Sequence, residues 1–113
     1  MEISLFSIPG TEQHHEPPEE LDDETRDLAR MFASLVEEAD AINWYQQRMK
    51  VTKDEEVKKL MQHAQEEEFE HFAIDLEYLT RKIPKWRAVL KEILFKEGDI
   101  LENAEKAEEI IKE

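Results

Sequence analysis

The chain contains no cysteine, which excludes disulfides, thiolate metal sites and thiol catalysis and leaves no need for an oxidising compartment. Glycine is limited to two residues and proline to four, so breaks are few and long helices are favoured. No apolar run approaches the roughly 20 residues that a membrane helix needs. The opening Met1-Glu2-Ile3-Ser4-Leu5-Phe6 has neither the basic start nor the sustained apolar stretch of a secretion signal. Positive charge is also in short supply: 15 Lys and Arg face 29 Asp and Glu, for a net charge of -14. Such a balance argues against nucleic acid and membrane surfaces as partners and makes cations the natural ones. A soluble, cytoplasmic protein is expected.

The 113 residues, 40% of them apolar, suffice for one small domain, and a small all-helical chain of this kind often needs a partner to complete its core. Residues 1-20 carry Pro9-Gly10 and Pro17-Pro18 around His14 and His15 and read as an extended, flexible arm. Asp22 or Asp23 can cap a helix running to about Lys50, with an apolar stripe of Leu28, Met31, Leu35, Ile42, Tyr45 and Met49. Thr52-Lys53-Asp54-Glu55 has the form of a capping box, so a second helix is expected from there to about Lys82, before Pro84. Its two faces, Phe69, Phe72, Leu76, Leu79 and Ile83 on one side and Val57, Met61, Ala64, Glu68, His71 and Tyr78 on the other, imply two packing surfaces. A short third helix carrying Trp86, Val89, Leu90, Ile93 and Leu94 is expected to end near Gly98. The domain is thus read as an arm over 1-20, a helical hairpin with its short third helix over 21-98, and a charged C-terminal helix over 99-113.

Glu38 is out of place in the first stripe, because an ionised carboxylate in an apolar seam is costly unless it is paired or bound to a metal. On the second helix, Glu68-x-x-His71 puts a carboxylate and an imidazole three residues apart on one face, where both can hold one ion. A turn near Lys53 brings residue 38 level with residue 68, so that Glu38, Glu68 and His71 converge about 22 Å from the turn. Glu12-x-x-His15 has the same spacing but lies in the proline-rich arm, where no helix aligns it. One Glu and one Glu-x-x-His are half of the ligand set of di-iron carboxylate bundles. A two-fold axis would supply the other half, making a four-helix bundle from two hairpins with the site across the dimer interface. Oxygen ligands with one imidazole suit iron or manganese, and zinc can use the same positions; two Fe(II) held together can pass electrons to O2. Tyr45, about two turns from Glu38, can hydrogen-bond a ligand or serve as a core tyrosine.

The ordered series His15-Glu16-Pro17, Glu37-Glu38-x-Asp40-Ala41-x-x-Trp44-Tyr45-x-Gln47-Arg48, Glu67-Glu68-x-Glu70-His71, Leu76-Glu77-Tyr78-Leu79 and Leu94-Phe95-x-Glu97-Gly98 resembles the encapsulated ferritins, the ferritin-like cargo of encapsulin nanocompartments. The resemblance implies an all-α, ferritin-like four-helix bundle formed by dimerisation, with a ferroxidase centre of Glu38, Glu68 and His71 binding two irons per dimer and Tyr45 close by. It implies that Glu37 and Asp40 draw cations toward that centre, although read without the family the two are a solvated face. It also implies a homodecameric ring of five dimers and an encapsulin shell protein as partner, the shell storing the mineral. Stand-alone members end in a linker and shell-docking peptide that this sequence does not show, so it is expected to belong to a longer chain or to a fusion with the shell protein. Two other readings compete: a rubrerythrin-like peroxide reductase, and a non-catalytic helical interaction module with a structural metal.

Overall fold

Two side-chain caps and a three-residue break define a helical hairpin. The computed structural model describes residues 14–112, and among them it contains four α-helices, one short 3-10 turn and no strand. Helix α1 spans Asp23–Val51 and α2 spans Glu55–Lys82. Asp22 is the residue that caps α1, accepting from the Thr25 amide at 2.8 Å. Acidic residues open each long helix (Asp23 and Glu24, then Glu55 and Glu56) and basic ones close it (Arg48 and Lys50, then Arg81 and Lys82), matching the sign of the helix dipole at both ends.

The hairpin turn uses its residues differently from the expected capping box. Thr52 stops α1 in an extended conformation, its amide still bonded to the Arg48 carbonyl at 3.0 Å. Its hydroxyl then accepts from the Asp54 amide at 3.2 Å. Asp54 is the cap of α2, accepting from the amides of Glu56 at 2.9 Å and Val57 at 3.2 Å. A shorter carboxylate next to the first helical residue reaches these amides directly, so the Thr52 hydroxyl is released to shape the turn.

The two long helices pack as a hairpin. Gln65, only 6% exposed, reaches from α2 to the Ile42 carbonyl at 3.2 Å and the Gln46 side chain at 2.9 Å, which fixes the register close to that expected from the turn. The line of α2 that enters the seam is Met61, Gln65, Glu68, Phe72 and Asp75, each buried or half-buried. Three of these are polar. Phe69, placed on the clean apolar stripe from sequence, is instead half exposed.

From Glu77 onward the chain forms a second compact unit, comprising the end of α2, α3 (Pro84–Ile93) and α4 (Ile100–Lys112). Arg87 donates to Glu77 at 2.9 Å and to Thr80 at 3.2 Å, and Arg81 donates to the same Glu77 oxygen at 2.6 Å, so two guanidinium groups hold the Glu77 carboxyl below its ordinary range. Helix α3 ends at Ile93, earlier than the expected Gly98. Leu94 is already extended, and Phe95 takes the left-handed conformation at φ 60° that glycine usually supplies at a helix end. Gly98, at φ 94°, shapes the approach to α4, whose first turn is capped by Asp99 through the Glu102 amide at 3.0 Å.

Of the expected arm, residues 1–13 lie outside the described part, and Glu12 with them. In the remainder Pro18–Glu20 form a 3-10 turn, which the fixed φ of consecutive prolines favours, and Arg26 donates to the Pro18 carbonyl at 2.8 Å. No helix of the described residues is long and apolar enough to cross a membrane.

Candidate metal centre

The expected α1 stripe is half-buried along its whole length, and Glu38 sits within it at 9% exposure. Taking a carboxylate out of water costs several kcal/mol, of order, unless a partner compensates. No lysine or arginine forms an ion pair with Glu38 among the described residues, and its Oε1 is buried without a hydrogen-bond partner. Its carboxyl is pushed up to about 8, first by desolvation, then by a hydrogen bond to the Asp75 carboxyl and by the negative charges of Asp75, Glu68 and Glu37.

Glu68 and His71 reach the same place from α2. The Glu68 side chain is 23% exposed and that of His71 54%, with His71 Nδ1 3.7 Å from Glu68 Oε1. At that separation they are neighbours without being a hydrogen-bonded pair. One ligand atom each from Glu38, Glu68 and His71 lies within 4.8 Å of the others, the one such group of three among the described residues. The three line an open groove with Ser34, Glu37, Ala41, Ile74 and Asp75. Two carboxylates and an imidazole at this spacing suit a first-row divalent ion, and an unpartnered buried oxygen is what such an ion would satisfy.

The other expected residues are placed less centrally. Glu37 is exposed at the groove's edge, and Asp40 is exposed and does not line it. Tyr45 is half-buried, two turns further along α1, with the Arg48 guanidinium 5.5 Å from its ring centroid. Asp75 was not anticipated. It is 9% exposed and lies seven residues beyond Glu68 and four beyond His71, on their face of α2. The signal that picked out Glu38, a carboxylate at core spacing between Phe72 and Leu79, was present for Asp75 too.

A helical hairpin that converges two glutamates and a histidine on one groove is a ferritin-like arrangement. A crystal structure of a protein from Nitrosomonas europaea has a similar fold, with a TM-score of 0.74 and 42% identity over 77% of this chain and 96% of that one. A protein of Thermotoga maritima named ferritin-like is 45% identical over 80% of this chain and 80% of its own length. The encapsulated ferritin-like protein of Rhodospirillum rubrum is 42% identical over 76% of this chain, and the encapsulin nanocompartment cargo protein EncC of Myxococcus xanthus 38% over 62%. The aligned part spans 61% and 55%, respectively, of those two longer relatives. The EncFtn-like family profile matches residues 13–97, and the chain belongs to that family.

Burial of Glu38 predicts a pH signature for the metal-free chain. The folded chain holds the Glu38 proton more tightly than an unfolded chain would, so stability falls as pH rises from about 4.5, the ordinary value, to about 8. Glu38→Gln, neutral throughout, is expected to lack that contribution and to be the more stable form above the window. Unfolding midpoints of both proteins across this range check it. Parallel profiles would show that Glu38 is not held protonated by the fold.

Proposed function

We propose that this protein is a ferroxidase that oxidises Fe(II) to Fe(III) at a di-iron site shared by two copies of the chain. The observation that carries the reading is the convergence of Glu38, Glu68 and His71 within 4.8 Å around a carboxylate oxygen that the fold buries without a partner. One chain supplies a Glu and a Glu-x-x-His, half the ligand set of a di-iron bundle, and a two-fold axis supplies the rest. Large apolar side chains left in water on the hairpin, among them Val36, Trp44, Leu60 and Ile74, support such an association. Iron is the substrate. Two Fe(II) each lose one electron, and O2 gains the two electrons and two protons to give hydrogen peroxide. Ionised Glu38 and Glu68 favour the ferric product over the ferrous ion by charge, and Glu37 adds negative potential at the groove's edge. Asp40 extends that negative surface along α1. Tyr45, about 10 Å from Glu38 along the helix, joins the site only in the assembled bundle, as a hydrogen-bond neighbour of a ligand.

The names of the Rhodospirillum and Myxococcus relatives support a wider setting. In this reading the protein works as a homodecameric ring of five dimers inside an encapsulin nanocompartment in the cytoplasm, and the shell protein stores the mineral. Its segments are the N-terminal arm over 1-20, the ferroxidase hairpin with the third helix over 21-98, and the charged helix over 99-113, which leads to a shell-fusion or targeting segment.

Aerobic Fe(II) oxidation, followed by ferric absorbance, tests the activity. The unaltered protein is expected to oxidise Fe(II) well above the protein-free rate, and Glu38→Ala, Glu68→Ala and His71→Ala to lose about tenfold or more, since each removes two ligands per dimer. Oxidation at background by the unaltered protein would favour a structural metal site, and far faster consumption of peroxide than of O2 would favour a peroxide reductase. The shared site adds a mass prediction: divalent metal shifts the chain toward dimers and higher assemblies, because binding free energy is gained only when two half-sites meet. A metal-saturated, fully active monomer would rule the sharing out.

A further inference from the structure

Gln65 occupies a place in the hairpin seam that packing alone would give to an apolar residue. It is 6% exposed and shares its line of α2 with Met61, Glu68 and Phe72, where a leucine or methionine would bury apolar surface instead of an amide. Its side-chain nitrogen donates to the Ile42 carbonyl at 3.2 Å and to the Gln46 side-chain oxygen at 2.9 Å. Neither acceptor depends on it. The Ile42 carbonyl lies inside α1, where the helix supplies its own amide donor four residues on, and Gln46 is exposed to water. Satisfying α1 is therefore not what the two bonds are for.

Their effect is to fix one helix along the other. Apolar contacts carry no direction, and stripes that repeat every three or four residues can meet again after a slip of one turn, about 5.4 Å. A bond to a main-chain carbonyl cannot follow such a slip, because no side-chain rotation moves its acceptor. A polar residue in an apolar seam sets register in this way at a cost in stability. The lock also lies next to the site. Ile42 is four residues beyond Glu38, about 6 Å along α1, and Gln65 is three before Glu68, about 4.5 Å along α2. Glu38, Glu68 and His71 offer ligand atoms within 4.8 Å of one another, a spacing that a one-turn slip would destroy.

We propose that Gln65 is a positioning residue of the metal centre, holding Glu68 and His71 level with Glu38 before any ion arrives and so setting the affinity and coordination geometry of the ion that binds. The inference rests on the metal-binding reading above and adds to it a residue that touches no metal. Ligands placed in advance spare the ion the cost of ordering them, and their alignment depends on the residues that support them. Gln65 acts through α2 as a whole, so its loss displaces both ligands of that helix together. An apolar residue in its place separates binding from stability: the seam gains apolar burial while the site loses its alignment.

Anaerobic Co(II) titration of the full chain, read by calorimetry and by Co(II) absorbance, tests it alongside melting of the metal-free protein. The proteins compared are the unaltered chain, Gln65→Leu, Gln65→Met, Gln46→Ala and Glu68→Ala. Gln65→Leu and Gln65→Met are expected to melt no lower than the unaltered chain, to bind Co(II) about tenfold or more weakly, and to give a shifted Co(II) absorbance band. Gln46→Ala keeps the bond to the Ile42 carbonyl, so its loss of affinity should be smaller and its band unshifted. Affinity and band unchanged in both Gln65 variants, with Glu68→Ala weakened, overturn the positioning role and leave the three-ligand site standing. Melting of both Gln65 variants far below the unaltered chain, with an unshifted band, assigns Gln65 to stability alone and overturns the proposal. No Co(II) binding by the unaltered chain, or binding that survives Glu68→Ala unchanged, overturns the metal-binding reading and the proposal with it.

Discussion

A carboxylate carried into the seam of a two-helix hairpin must find something positive, and among the described residues no cationic side chain forms an ion pair with Glu38. The rest of the molecule can be understood from that constraint. Helix α1 is regular enough to hold the side chain in the seam, the Asp54 cap and the Thr52 hydroxyl fix where α2 begins, and Gln65 locks the register with two bonds to α1. Glu68 and His71 then arrive at the level of Glu38 by helix geometry. In the metal-free fold a retained proton spares Glu38 the cost of burying negative charge, and a bound cation would take the proton's place.

The hairpin was largely legible in the sequence because its signals are local. Asp22 before α1, the break at Thr52 to Asp54 and Pro84 after α2 are residues whose chemistry acts within one turn. The meeting of Glu38 with Glu68 and His71 followed from a short turn and a constant rise per residue. Less of the seam itself was readable. Gln65 and Asp75 occupy core spacing with polar side chains, and a search for apolar periodicity passes over them; Phe69 was assigned to the core by the same search and is half exposed. The early end of α3 was hidden for another reason. Phe95 adopts a left-handed conformation that phenylalanine rarely takes, so the glycine downstream was the only visible stop signal.

Sparse internal burial is the other feature that shapes the molecule. Among the described residues the buried apolar side chains are Ala33, Leu79 and Ala107, whereas Trp44, Phe69, Ile74 and Phe95 stand half or fully exposed. Apolar surface of this kind is what a second copy would cover in the proposed dimer. In the proposed dimer the metal centre and the association surface make the same demand, since half of a di-iron ligand set is also half of a bundle core. In this account folding, assembly and iron binding draw on one surface.

The account stands or falls on whether iron occupies the groove between α1 and α2. The most direct measurement is a crystal structure of the protein grown with Fe(II), with anomalous scattering recorded on both sides of the iron absorption edge. The account predicts an iron peak within bonding distance of Glu38, Glu68 and His71. Iron-loaded crystals with no peak there, and iron only at exposed carboxylates elsewhere, would contradict it.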